Sequence, residues 1–194
     1  MDAFLTSLSL VTLAEIGDKT QLLAILLATR FRAPMPIILG ILAATLANHF
    51  LAALVGHGIA GLLDSPTFRI AVALGFIAMG LWTLVPDKIE DDEMKVPDAR
   101  GVFVATLIAF FLVEMGDKTQ IATIALGAQF GHSLAQVIAV TAGATAGMML
   151  ANIPAVYLGE ALIERVSLRL IRTIAAMLFV ALGMWLLGGA LHWW

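Results

Sequence analysis

Two stretches of this chain, Glu15-Ile16-Gly17-Asp18-Lys19-Thr20-Gln21 and Glu114-Met115-Gly116-Asp117-Lys118-Thr119-Gln120, set three ionisable side chains each inside an otherwise apolar run. Each run is long enough to cross a bilayer, where a charged side chain costs about 2.5–3.5 kcal/mol. Six such groups facing lipid unpaired would cost roughly 15–20 kcal/mol, so they must face one another, water or an ion. That restricts the chain to folds that turn both motifs inward.

The composition agrees. With 61% hydrophobic and only 13% charged residues, the chain lies outside the range of soluble globular domains. At about 20 residues per span, six helices with short loops use nearly all of its 194 residues and leave no room for a soluble enzymatic domain. Met1-Asp2-Ala3-Phe4 lacks a basic n-region and a small-residue cleavage site, so the first span is expected to be retained. The absence of cysteine excludes disulfides and thiolate metal sites and directs a metal reading towards oxygen and imidazole ligands.

Punctuation along the chain predicts an all-α membrane protein of six transmembrane helices. The first covers 3–29 with the motif at its centre and stops at Arg30-Phe31-Arg32-Ala33-Pro34-Met35-Pro36. The second runs to 63, the turn Asp64-Ser65-Pro66 follows, and the third covers 67–85. A polar stretch with Glu90-Asp91-Asp92-Glu93 precedes the fourth, 101–130, which repeats the motif. Gly131-His132-Ser133 is a turn; the fifth span runs to 162 and the sixth covers 168–191, after the bend at Glu164-Arg165.

The repeat extends beyond the motif. Glu15 and Glu114 differ by 99 positions (114 − 15), while Gly40 and Gly143, Arg69 and Arg172, Gly80 and Gly183, and Trp82 and Trp185 all differ by 103 (143 − 40). The chain therefore divides into a three-helix repeat at 1–86, an acidic linker at 87–100 and a second three-helix repeat at 101–194. An odd number of spans per half makes the two repeats inverted copies. Outside the motifs, Arg30, Arg32, Lys88, Lys95, Arg100, Arg165, Arg169 and Arg172 fall on one side and only Arg69 on the other. The excess of positive charge puts the first side in the cytoplasm and both termini outside, with Trp82, Trp185, Trp193 and Trp194 near the interfaces. Gly40 with Ala44 and Gly143 with Gly147 have the spacing that lets helices approach closely.

On a regular helix Glu15 and Asp18 share a face and Lys19 can pair with Glu15; Glu114, Asp117 and Lys118 repeat this. Thr20 and Thr119 point away from that face and are expected to play a supporting part. Gly17 and Gly116 are places where the helix can unwind and offer carbonyls to an ion. Gln21 and Gln120 can supply neutral oxygens or make packing hydrogen bonds. Each motif carries two acids and one base, so two motifs face to face sum to −2, matching one divalent cation. Four carboxylates with amide or carbonyl oxygens are hard ligands suited to Mn²⁺ or Ca²⁺. Six charges can also merely neutralise one another as helix-pairing clusters, but two inverted copies at matching depth argue against that.

Other polar residues at membrane depth are Asn48, His49 and Asn152, the last being the repeat mate of His49. His49 can ligate metal, relay protons or simply pack through a hydrogen bond. Pro154 frees the carbonyl of Leu150 and is expected to kink the fifth span. His57, His132 and His192 read as solvated, and the acidic stretch as a linker between the halves.

The paired Glu-x-Gly-Asp-Lys-Thr motifs, one in each half, resemble a family of divalent cation/proton exchangers over essentially the whole chain. The resemblance implies a secondary transporter that moves Mn²⁺ in exchange for protons, or Ca²⁺ in some members, with Glu15, Asp18, Glu114 and Asp117 as the ion site. It implies no cofactor besides the transported ion. The bilayer is the expected surrounding, here the inner membrane of a bacterium. Nucleic acid is not an expected partner, and monomer and homodimer stay open. A divalent cation channel is the nearest alternative. An intramembrane aspartyl protease needs an aspartate pair sharing a proton, not a lysine beside each.

Overall fold

The computed structural model of the chain describes residues 2–85, 101–159 and 167–191. The linker 87–100 with Lys88, Lys95 and Arg100, the Glu164-Arg165 bend, His192, Trp193 and Trp194 lie outside the described residues. Among the described residues the regular structure is entirely helical: α1 (Ala3–Glu15), α2 (Lys19–Phe31), α3 (Pro34–Ile59), a 3₁₀ turn (Ala60–Asp64), α4 (Pro66–Thr83), α5 (Val102–Glu114), α6 (Lys118–Phe130), α7 (Leu134–Leu158) and α8 (Leu168–Ala190).

Local chemistry sets several of these ends. The Asp2 carboxylate accepts from the N–H groups of Phe4 and Leu5 at 2.9 and 3.2 Å and so caps α1. Pro34 and Pro66 stand in the first turns of α3 and α4, where a missing N–H leaves no bond unmade. Arg32 closes α2 in the left-handed region, its N–H returning to the Ala28 carbonyl. Pro154 lies inside α7, which runs through it without ending.

Four stretches are long and apolar enough to cross a membrane: Pro34–Asp64, Pro66–Thr83, Leu134–Leu158 and Arg169–Ala190. The expectation of continuous spans over 3–29 and 101–130 is corrected. Each is a pair of 13-residue helices, α1 with α2 and α5 with α6, interrupted at the motif. Gly17 and Gly116, singled out as places to unwind, both adopt φ 83°, a value closed to side chains bearing a Cβ in a helix. Large exposed side chains such as Leu39, Leu46, Val55, Leu150, Tyr157 and Met177 cover the long helices. Apolar surface on that scale belongs in lipid, so this is an integral membrane protein.

The halves interlock. α7 packs along α1 and α2, α3 packs along α5 and α6, α3 and α7 touch each other, and α4 pairs with α8 through Phe76 and Phe179, whose ring centroids are 6.4 Å apart. Glycines permit the closest crossings. A Cβ on Gly40 would stand 2.9 Å from the Phe103 carbonyl oxygen, and one on Gly143 would collide with the carbonyl of Phe4. Phe4 and Phe103 are themselves 99 positions apart (103 − 4), so the same crossing is made twice, once from each half.

Among the described residues the buried apolar side chains form three clusters. One gathers Leu23, Leu27, Ile37, Ile41, Phe110, Val113 and Val156; a second gathers Leu10, Ala53, Phe76, Leu126, Val137 and Phe179; a small third joins Val11 to Ala144 and Met148. On α1–α2, on α5–α6 and on α3 the chain passes from one large cluster to the other, and the buried polar residues between are those of the two motifs and Thr45, Asn48 and His49. Buried polar side chains thus lie between the two large apolar clusters.

Substituting Gly143 by Leu should lower stability in detergent by about 1–3 kcal/mol, the usual cost of overpacking. Gly75→Ala, where a Cβ meets nothing within 4 Å, should be neutral or slightly stabilising. Thermal melts of the two variants against the parent chain check the contrast.

Candidate cation site

The two breaks have the same geometry. The chain leaves the helix at Ile16 and Met115, both at φ −68° with ψ 113° and 116°, turns through the glycine, and re-enters a helix at Asp18 and Asp117, both extended. Each break exposes two ends of a half-helix. The carbonyl ends of α1 and α5 carry partial negative charge and the amide ends of α2 and α6 partial positive charge, so the interior offers fixed dipoles to ions of either sign.

Side chains within the motif satisfy part of the freed backbone. Gln21 Oε1 accepts from the Gly17 N–H at 2.9 Å and Gln120 Oε1 from the Gly116 N–H at 2.6 Å. The glutamine oxygens are thus engaged in holding the turn, which favours their packing role over that of neutral ligands. Gln21 Nε2 also donates to the Ala151 carbonyl on α7 at 3.0 Å, tying the first break to the other half. Asp117 accepts from the Thr119 N–H at 3.4 Å as an N-cap.

The threonines contradict the regular-helix reading. Because the chain unwinds between them and the glutamates, Thr20 Oγ1 donates to Glu15 Oε2 at 2.6 Å and Thr119 Oγ1 donates to Glu114 Oε1. Both threonines are buried against the acids rather than turned away. The lysines reach across to the other motif. Lys19 Nζ lies 3.4 Å from Asp117 Oδ1 and Lys118 Nζ 3.0 Å from Asp18 Oδ1. Each lysine reaches the aspartate of the opposite motif, whereas the sequence spacing pointed to the glutamate of its own.

These contacts bring the motifs together. Glu15, Asp18 and Glu114 are 0–1% exposed and Asp117 7%. Glu15, Glu114 and Asp117 each offer an oxygen such that all three lie within 4.8 Å of one another, the one such set among the described residues. Asp18 stands outside that set, at Lys118. Glu15 Oε1 and Glu114 Oε2 accept no hydrogen bond. Buried carboxylate oxygens without a donor are costly, and a cation placed among them relieves that cost.

The remaining polar residues flank this cluster. His49 Nδ1 is 3.2 Å from Thr145 Oγ1 on α7, joining the two long helices, while its Nε2 has no partner. Asn48 Nδ2 donates to the Phe111 carbonyl at 3.2 Å, and Asn152 Nδ2 to the Met148 carbonyl at 3.1 Å. Thr145 and the carbonyls of Phe111 and Ala151 escaped sequence reasoning: backbone acceptors leave no residue signal, and nothing in the small-residue stretch around Thr145 marks it. His57 is exposed as expected, yet its ring also bonds the Gly131 carbonyl.

The sequence profile of the family described as "Divalent cation/proton antiporter GDT1" matches residues 3–91 and 102–194. A protein of Vibrio cholerae serotype O1 described as a "Putative manganese exporter" is 47% identical over 184 residues, covering 95% of this chain and 90% of that one. GDT1-like protein 3 of Oryza sativa subsp. japonica is 31% identical over 92% of this chain and 71% of its own. A GDT1-like protein of Synechocystis sp. is 29% identical over 100% of this chain and 98% of its own. No solved structure matches. With both breaks and all four motif acids in place, the chain belongs to the GDT1 family of divalent cation/proton antiporters, integral membrane transporters rather than enzymes.

Proposed function

We propose that this protein exports Mn²⁺ from the bacterial cytoplasm across the inner membrane in exchange for protons. The observation that carries the reading is the meeting of Glu15, Glu114 and Asp117 at the junction of two broken helices, with Asp18 held beside them by Lys118. The 47% identity to a protein described as a manganese exporter supports the choice of ion. An all-oxygen acid set suits Ca²⁺ as well, so a Ca²⁺/H⁺ exchange is the second reading.

In this account α1–α2 and α5–α6 each cross the membrane as one broken span. The chain then has six spans in two inverted halves, with both termini outside. The equivalent crossings Gly40–Phe103 and Gly143–Phe4 support that relation. Rocking of one half against the other opens the midplane site alternately to each side.

Coupling follows from charge. The six motif groups sum to −2, which one Mn²⁺ neutralises. Protons on the carboxylates remove the charge that holds the metal, and metal binding expels protons, so the two compete for one site. Moving two positive charges outward against 100 mV, inside negative, costs about 4.6 kcal/mol. Inward passage of two protons per Mn²⁺ cancels that electrical cost, which no simple pore can do.

Glu15→Gln and Glu114→Gln should each abolish Mn²⁺-driven proton movement in proteoliposomes carrying an internal pH dye, while the proteins remain folded. Full transport by both variants would defeat the assignment. Mn²⁺ affinity should fall as pH is lowered on the binding side, because protonation of any motif acid reduces the charge available to the metal; titrations at a series of pH values read this directly, and a flat profile argues for a channel.

A further inference from the structure

Only two asparagines occur in the chain, Asn48 and Asn152, and both are fully buried in the middle of long helices. Asparagine is a poor interior helix former, and a buried amide is tolerated only when its hydrogen-bonding groups are met. Each of these meets that demand by half. Nδ2 is anchored to a carbonyl, of Phe111 for Asn48 and of Met148 for Asn152, while Oδ1 of both accepts nothing. Anchoring the nitrogen fixes the plane of the amide and leaves its oxygen as a preset, unused acceptor.

Their positions bear on the breaks. Because α5 ends at Glu114, the Phe111 carbonyl lacks a helical partner, and Asn48 supplies the missing donor. That places Asn48 one turn before Glu114, on the side towards which helical side chains lean. Asn152 adjoins Ala151, whose carbonyl accepts from Gln21, the residue that holds the Gly17 turn. Asn48 therefore bonds the helix that ends in the second motif, and Asn152 follows the residue that bonds the first, each from the long helix of the opposite half.

We infer that the amide oxygens of Asn48 and Asn152 are neutral ligands of the transported divalent cation. The inference rests on the acid site proposed above and extends its coordination shell. Three carboxylates and two amides supply five oxygens to an ion that takes six, and amides do so without adding charge to a site already matched to 2+. The ion thus touches α3 and α7 as well as the motif helices, so that binding draws on residues from both halves.

The test uses the full-length protein in detergent with Mn²⁺ alone as the probe. Because the chain holds only these two asparagines, labelling Asn with ¹³C at Cγ reports on them and nothing else. Electron–nuclear double resonance on bound Mn²⁺ should show a ¹³C coupling, which Asn48→Leu or Asn152→Leu should reduce. Each leucine variant should weaken Mn²⁺ binding at least about tenfold, the lower end of what losing a metal-orienting group costs. Bound Mn²⁺ with no ¹³C coupling overturns the inference even if the leucine variants fail to fold. If that Mn²⁺ is still lost in Glu114→Gln, the acid site stands without the amides; if Glu114→Gln binds as the parent does, the acid site falls too.

Discussion

The pairing of each motif's lysine with the other motif's aspartate is the constraint around which the structure is arranged. Lys19–Asp117 and Lys118–Asp18 lie between apolar cores, where removing one partner of a buried pair typically costs about 3–5 kcal/mol. Pairing within a motif would let each half fold by itself and face its partner as a separate body. Pairing across makes the two halves mutually necessary, and it fixes the aspartates at a distance that leaves the glutamates facing one another. The small-residue crossings of α1 on α7 and α5 on α3 follow, because the motif helices must come close enough for a lysine to span the gap.

A helix broken among buried apolar side chains must find partners for its free backbone groups, since its surroundings supply none. Here the break is closed largely by amides: Gln21 and Gln120 from within the motif, and Asn48 from the opposite half. The threonine hydroxyls bond Glu15 and Glu114 instead, fixing one oxygen of each and leaving the other without a donor. The same unwinding that creates the backbone demand therefore also orients the acids. The apolar clusters on either side, around Phe110 and around Phe76 and Phe179, lower the polarity around those electrostatic contacts and so strengthen them.

Much of this is legible in the sequence because the bilayer makes polar residues expensive. Charge in an apolar run is enough to single out Glu15, Asp18, Glu114 and Asp117, and Pro34, Pro66 and Gly131 mark helix boundaries within a residue or two. The partners of the charges are not legible. Lys19 lies four residues after Glu15, and helix geometry makes that the natural pair; a single glycine at φ 83° rotates the following helix and redirects the lysine to Asp117. The same rotation brings Thr20 back onto Glu15 from a position that a continuous helix would turn away. Contacts to backbone carbonyls, such as Asn48 to Phe111, depend on where a helix ends and carry no residue signature of their own.

The repeat mates share their residues but not their surroundings. Gly17 is buried and Gly116 exposed; Lys118 is 4% exposed and Lys19 16%; Gln21 is fixed to α7, while Gln120 is only half-buried. Equal sequences in unequal environments mean that the asymmetry belongs to the packing of the halves and not to the motifs. The Gln–Gly, Thr–Glu and Lys–Asp contacts recur at both breaks because the motifs carry the same Glu, Gly, Asp, Lys, Thr and Gln in the same order and differ only at Ile16 and Met115. Where the mates do differ, Asn48 against Ala151 and His49 against Asn152, the two breaks also differ in the donors and acceptors that the long helices present to them.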